Sequence, residues 1–65
     1  MKIFLNGDAL ELGEARLDAA LVELGYADAV VATALNGEFV PRAERPAVML
    51  RDGDRLEVLA PLQGG

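Results

Sequence analysis

The 65-residue sequence has no cysteine, no histidine and no serine. Without cysteine there is no disulfide, no thiolate metal site and no sign of an oxidising compartment. With Thr33 as the single threonine, the usual nucleophile–base pairs cannot be assembled, so catalysis in its own right is hard to place on this chain. Positive charge is scarce as well. Six basic residues face eleven acidic ones, for a net charge of −5, and Lys2 is the one lysine. Phosphate backbones repel such a chain, so nucleic acid is not an expected partner. A protein with a basic docking surface is expected instead, charge serving mainly to speed encounter. No apolar run approaches the ~20 residues of a membrane helix. Residues 1–8 hold only a short apolar run followed by polar residues, unlike a signal peptide. A cytoplasmic location is expected.

What is present suits one small domain. Apolar residues make up 52% of the chain and charged residues 26%. A domain of this length buries roughly 60% of the surface its unfolded chain exposes, enough for one marginal core.

Lys2–Leu5 and Ala9–Leu12 read as strands around Asn6-Gly7, a pair that tolerates the positive φ angles of a tight hairpin. Ile3 and Leu5 then share one face, Lys2 and Phe4 the other. From Arg16 to Leu24 the period changes. Leu17, Ala20, Leu21 and Leu24 fall on one helical face, and Gly25 stands where a helix-ending glycine belongs. The helix start has no Ser, Thr, Asp or Asn to cap it, so fraying is expected, partly offset by Glu14 and Asp18 near the positive end of the dipole. Residues 26–29 connect to a third strand, Val30–Leu35, rich in β-branched residues. Asn36-Gly37 turns the chain into Glu38–Val40, which Pro41 stops. Residues 42–49 read as an irregular crossing with one helical turn. Asp52-Gly53-Asp54 is a turn, and residues 55–60 alternate as a last strand with Leu56, Val58 and Ala60 on one side. The order β-β-α-β-β-β predicts an α+β domain, a single sheet with the helix across one face.

Few residues offer chemistry. Asp52 and Asp54 flank a glycine, but Gln63 stands where a calcium loop needs its Glu, so a solvated turn is favoured over a metal site. Phe4 and Leu59 fall on the sheet face away from the helix. They read either as scattered surface apolar residues or as a docking patch, and both readings stay open. The sequence ends Pro61-Leu62-Gln63-Gly64-Gly65. Two terminal glycines arise by chance in roughly 0.5% of chains at average usage, and glycine carries the largest entropic cost of ordering. We expect a domain over residues 1–61 and a flexible tail over 62–65, with the Gly65 carboxylate as its chemical handle. Fully extended, residues 61–65 reach about 16 Å, enough to enter a partner's active site. A carboxylate is a poor electrophile until ATP converts it to an acyl-adenylate, which a thiolate or persulfide can then attack.

The element order, the stretch from Ala34 to Arg42 (ALNGEFVPR), the run Asp52–Glu57 (DGDRLE) and the terminal Gln63-Gly64-Gly65 together resemble the ubiquitin-like β-grasp family. Within it the chain is similar to the small bacterial sulfur carriers of thiamine biosynthesis, over essentially its whole length. The resemblance implies a mixed sheet with the first and last strands parallel at its centre. It implies a carrier that binds no cofactor and is not an enzyme. An E1-like adenylyltransferase would activate Gly65 with ATP, a sulfur donor such as a cysteine desulfurase would convert it to a thiocarboxylate, and thiazole synthase would take the sulfur. It makes Leu62, Gln63 and Gly64 the approach to that group. It also makes the helix-distal face, with Phe4, Ala34 and Leu59, the docking surface. The chain departs from many relatives at Arg16, where they have Thr, and at Arg45, where they have Trp. Alternative readings are the small subunit of a molybdopterin-synthase-type carrier, a protein modifier whose Gly65 forms an isopeptide bond, and a plain interaction module.

Overall fold

The structure is a computed structural model that describes residues 1–60. Expectations for Leu62, Gln63, Gly64 and Gly65, and for a boundary at 61, lie outside the described residues. The elements run β1 (Lys2–Leu5), β2 (Asp8–Glu11), α1 (Leu17–Glu23), β3 (Ala32–Leu35), β4 (Glu38–Val40), a 3-10 helix (Arg42–Ala47) and β5 (Arg55–Leu59). They form one mixed sheet in the order β2-β1-β5-β3-β4. β1 and β5 lie parallel, Leu5 beside Leu56. The other pairings are antiparallel. This is the α+β, β-grasp arrangement that the sequence implied.

Both hairpins are built on the same four-residue logic. Leu5-Asn6-Gly7-Asp8 and Leu35-Asn36-Gly37-Glu38 each turn on two residues with positive φ, 49° and 90° in the first and 50° and 87° in the second. That is a type I′ turn, whose twist matches the flanking strands and which favours Asn-Gly. Alternation then sorts the side chains. Ile3, Thr33, Val40, Leu56 and Val58 point inward against Leu17, Ala20 and Leu21 of α1, and all are buried.

The helix ends as expected but starts differently. At its C-terminus Gly25 N–H donates to Val22 O and Tyr26 N–H to Leu21 O. With Gly25 at φ 93°, this is a Schellman motif. At its N-terminus no side chain accepts from the first turn as a conventional cap. In place of fraying, the start is pinned from outside: Leu17 N–H donates to Val48 O and Leu50 N–H to Ala15 O, around a bridge between Arg16 and Met49. The opening turn's unmet donor is thus satisfied by tertiary structure.

Several boundaries differ from the sequence reading. β3 begins at Ala32, because Val30 is 76% exposed and finds no strand partner; β-propensity is a preference for a packed surface and cannot create one. β2 starts at Asp8 and leaves buried Leu12 beyond its end. β5 ends at Leu59, before Ala60, which is exposed. The irregular crossing is a full 3-10 helix whose Arg45 is only 8% exposed. Arg45 Nε donates to Thr33 Oγ1 at 3.1 Å, its Nη2 to Val31 O at 2.7 Å, and Thr33 Oγ1 donates onward to Val40 O at 2.8 Å. Arg45 thereby stitches the 3-10 helix to β3 with hydrogen bonds. Among the described residues no carboxylate pairs with it.

Candidate functional site

The sheet has one face covered by α1 and one left open. Strand alternation puts Phe4, Arg55, Glu57, Leu59, Ala34 and Phe39 on the open face. Register brings them side by side: Phe4 lies opposite Arg55, Ala34 opposite Glu57, and Ala34 again opposite Phe39. A shallow depression gathers Phe4, Arg55, Glu57 and Leu59, with the turn glycines Gly7 and Gly37.

Of the residues expected on this face, Phe4 and Ala34 are half-buried and Leu59 is 61% exposed. Phe4 and Leu59 meet in the depression; Ala34 lies on the same face but outside it. Phe39 was not singled out from the sequence, yet it is 68% exposed and joins Ala34 across the β3–β4 pair. Its strand position two residues after Gly37 carried that information, since alternation from buried Val40 sends Phe39 outward. The Lys2 ammonium sits 5.9 Å from the Phe4 ring centroid, a cation–π arrangement that keeps one edge of the apolar surface charged. Arg55 and Glu57 add one charge of each sign. The surface can thus bury apolar area against a partner while polar groups fix orientation.

The site runs along the whole of β5, from Arg55 beside Phe4 to Leu59, the last residue of that strand. Two asparagines hold that strand. Asn36 N–H donates to Arg55 O at 2.8 Å, and its Oδ1 accepts from Arg55 N–H at 2.9 Å. Asn6 N–H donates to Leu56 O at 2.9 Å. Its side chain then reaches one step further: Nδ2 donates to Val58 O at 3.1 Å, and Oδ1 accepts from Val58 N–H at 2.9 Å.

The acidic turn is accounted for by hydrogen bonds to backbone N–H groups and to one asparagine. Asp52 Oδ1 accepts from Lys2 N–H at 2.8 Å, and Asp54 accepts from Arg51 N–H at 2.8 Å and from Asn36 Nδ2 at 3.1 Å. Both carboxylates therefore shape the turn before β5. Among the described residues no group of three or more His, Cys, Asp or Glu side chains is placed to hold a metal ion, and no helix is long and apolar enough to cross a membrane.

Comparison with known proteins gives consistent matches. The ThiS family model matches residues 3–65. The sulfur carrier protein ThiS of Thermus thermophilus is 41% identical over 63 residues, covering 97% of this chain and 98% of that protein. A thiazole synthase of Paramagnetospirillum magneticum is 36% identical over 66 residues; the match covers 100% of this chain, which spans only 20% of that protein's length. A crystal structure of the thiamine biosynthesis protein ThiS from Geobacter metallireducens superposes with a TM-score of 0.83 at 32% identity, each chain covered fully.

Proposed function

This chain belongs to the ThiS family, and we propose that Gly65 is the residue on which it carries sulfur. As a member of that family it is a sulfur carrier of thiamine biosynthesis, a co-substrate and not an enzyme. In this reading residues 62–65 form a flexible tail on the β-grasp domain. A carboxylate oxygen of Gly65 attacks the α-phosphorus of ATP in the active site of an E1-like adenylyltransferase, and pyrophosphate leaves. The terminal sulfur of a persulfide on a donor such as a cysteine desulfurase then displaces AMP to form an acyl disulfide, and a reducing thiol cleaves its S–S bond, being oxidised to a disulfide with the donor's sulfur and leaving a C-terminal thiocarboxylate. Gly64 and Gly65 suit the approach because neither presents a Cβ to a narrow channel, while Leu62 and Gln63 span the gap from the domain. Thiazole synthase receives the sulfur. In this reading ATP and the sulfur donor belong to the partners' chemistry, and the carrier works with them in the cytoplasm.

The observation that carries this reading is the open, partly apolar sheet face of Phe4, Ala34, Leu59 and Phe39, laid along and beside β5, the strand that leads to Gly64-Gly65. It offers a partner a docking surface on the domain that carries Gly65. The thiazole synthase of P. magneticum, whose own chain includes a region matching this one, supports thiazole synthase as the recipient.

The test is an intact mass after incubation with ATP, an E1-like adenylyltransferase and a sulfur donor. Replacement of one terminal oxygen by sulfur is expected. An unchanged mass with competent enzymes overturns the reading. Deletion of Gly65 is expected to abolish charging and leave the circular dichroism spectrum unchanged.

A further inference from the structure

The Asn6 side chain does something that a hairpin turn does not need. In a parallel pair, each strand's N–H and C=O groups meet the partner at alternate residues. On β5 the groups facing β1 are those of Leu56 and then Val58. Leu56 O is met by Asn6 N–H. At Val58 there is no further β1 residue, because the chain has turned at Asn6-Gly7 into β2. The Asn6 carboxamide takes the missing place. Its planar group sets an N–H donor beside a C=O acceptor, as a peptide unit does, and it meets both Val58 N–H and Val58 O. The ladder between β1 and β5 is thereby extended one step past the end of β1.

Asn36 supplies an internal comparison. It occupies the same turn position with nearly the same φ, and its side chain also accepts from a β5 N–H, that of Arg55. Arg55 opens β5; Val58 lies one residue before its end. The two asparagines therefore grip opposite ends of one strand, and only Asn6 grips the end that leads to Gly65.

We propose that Asn6 is a positioning residue for the reaction at Gly65: by closing the peptide groups of Val58 it fixes where, and in what direction, the chain leaves the sheet. The inference rests on the reading of Gly65 as the sulfur-carrying residue. Gly65 lies seven positions after Val58, a contour of at most about 25 Å. Without the amide the β1 side of β5 opens at Val58 and the strand's last residues are held only through β3, where Leu59 pairs with Ala32, which adds freedom at the root of that tether. Docking through Phe4 and Leu59 persists, and the fraction of docked complexes with the carboxylate in place falls. The effect belongs in kcat and not in KM.

The experiment is ATP–pyrophosphate exchange catalysed by a purified E1-like adenylyltransferase, with wild type, Asn6→Gly and Asn36→Gly as substrates at a temperature where all three are folded. Glycine keeps the positive φ at both sites and removes only the side chain. For Asn6→Gly, kcat is expected to fall about tenfold, since misplacement of a reacting group by an ångström costs up to about a hundredfold, with KM within about twofold. Asn36→Gly is expected to keep both constants. Amide exchange at Val58 should accelerate in Asn6→Gly alone. If Asn6→Gly proves too unstable to assay, Asn6→Asp asks the same question, since it keeps the acceptor for Val58 N–H and removes the donor to Val58 O. An unchanged kcat in the Asn6 variant, or an equal loss in Asn36→Gly, overturns the proposal. A wild-type chain that supports no exchange overturns the reading of Gly65 on which the proposal stands.

Discussion

Asn6 and Val58, 52 residues apart in sequence, exchange two hydrogen bonds between a side-chain amide and a peptide backbone. Together with the Asn6 backbone bond to Leu56, they make one turn residue part of the central strand pairing. The sheet's long-range register is thus tied to the same residue that makes its first local turn.

Loss of this amide should cost stability in a definite order. Asn6→Gly leaves Val58 N–H and O without their partners, a loss of about 1–3 kcal/mol. Asn6→Ala suffers the same loss and, unlike the glycine variant, keeps a Cβ at φ 49° without the polar side chain that helps asparagine hold that conformation, for about 1–2 kcal/mol more than Asn6→Gly. Urea unfolding should rank wild type above Asn6→Gly above Asn6→Ala. An alanine variant as stable as the glycine variant would contradict the turn argument.

The Thr33–Arg45 pair should behave non-additively. Thr33→Val removes the acceptor of buried Arg45 Nε and the donor to Val40 O, a cost of about 2–3 kcal/mol. Arg45→Met removes the bonds to Thr33 and Val31 and should cost a similar amount. Once Thr33 is valine, an apolar residue at 45 strands no charge, so the double variant should lose at least about 1 kcal/mol less than the sum of the singles. Chemical denaturation of all four proteins measures this; strict additivity would mean that the two side chains act independently.

Leu59→Thr and Phe39→Thr should separate docking from folding. Both side chains are largely exposed, and threonine is a good strand residue, so unfolding free energies should stay within about 0.5 kcal/mol of wild type. Removing an apolar anchor at an interface centre should raise KM for the adenylyltransferase about tenfold. Unchanged KM in both variants would remove the open face from the docking surface.

Asp18 should leave a small pH signature. A hydrogen bond from the Arg16 guanidinium holds its carboxyl below the ordinary value of 3.8, aided by the Ala19 N–H and opposed by desolvation. A depressed folded-state pKa contributes stability that is fully present above the unfolded value and fades as pH falls through the folded one. Wild type should therefore lose stability relative to Asp18→Asn only below about pH 4, and added salt should shrink the difference because the pair is exposed. A gap that stays constant down through that range would exclude this pairing as its source.

Local chemistry made most of the fold legible. Asn-Gly at 6–7 and 36–37, Gly25 after an apolar helical stripe and Pro41 after a short strand each mark structure from neighbouring residues alone. What escaped is non-local. The Asn6 carboxamide finds its partner 52 residues away, and nothing around Asn6 names Val58. Arg45 sits in a stretch of mixed charge that reads as an irregular crossing; its guanidinium is buried where Thr33 and Val31 offer it acceptors. Val30 illustrates the reverse error, a β-branched residue with no sheet to join. On the open face, Phe4, Ala34 and Leu59 follow from alternation and the family resemblance. Phe39 follows from the same alternation but had no motif to draw notice.

The position of β5 has a consequence for assembly. In the sheet order, β5 alone touches both hairpins; β1–β2 and β3–β4 do not pair with each other. Within the fold, the two hairpins of residues 1–53 therefore flank the strand-shaped slot that β5 fills. A synthetic peptide of residues 54–65 supplied in trans would fill that slot as a donated strand. Made with sulfur already installed at its C-terminus, such a peptide would yield a charged carrier without ATP or an activating enzyme.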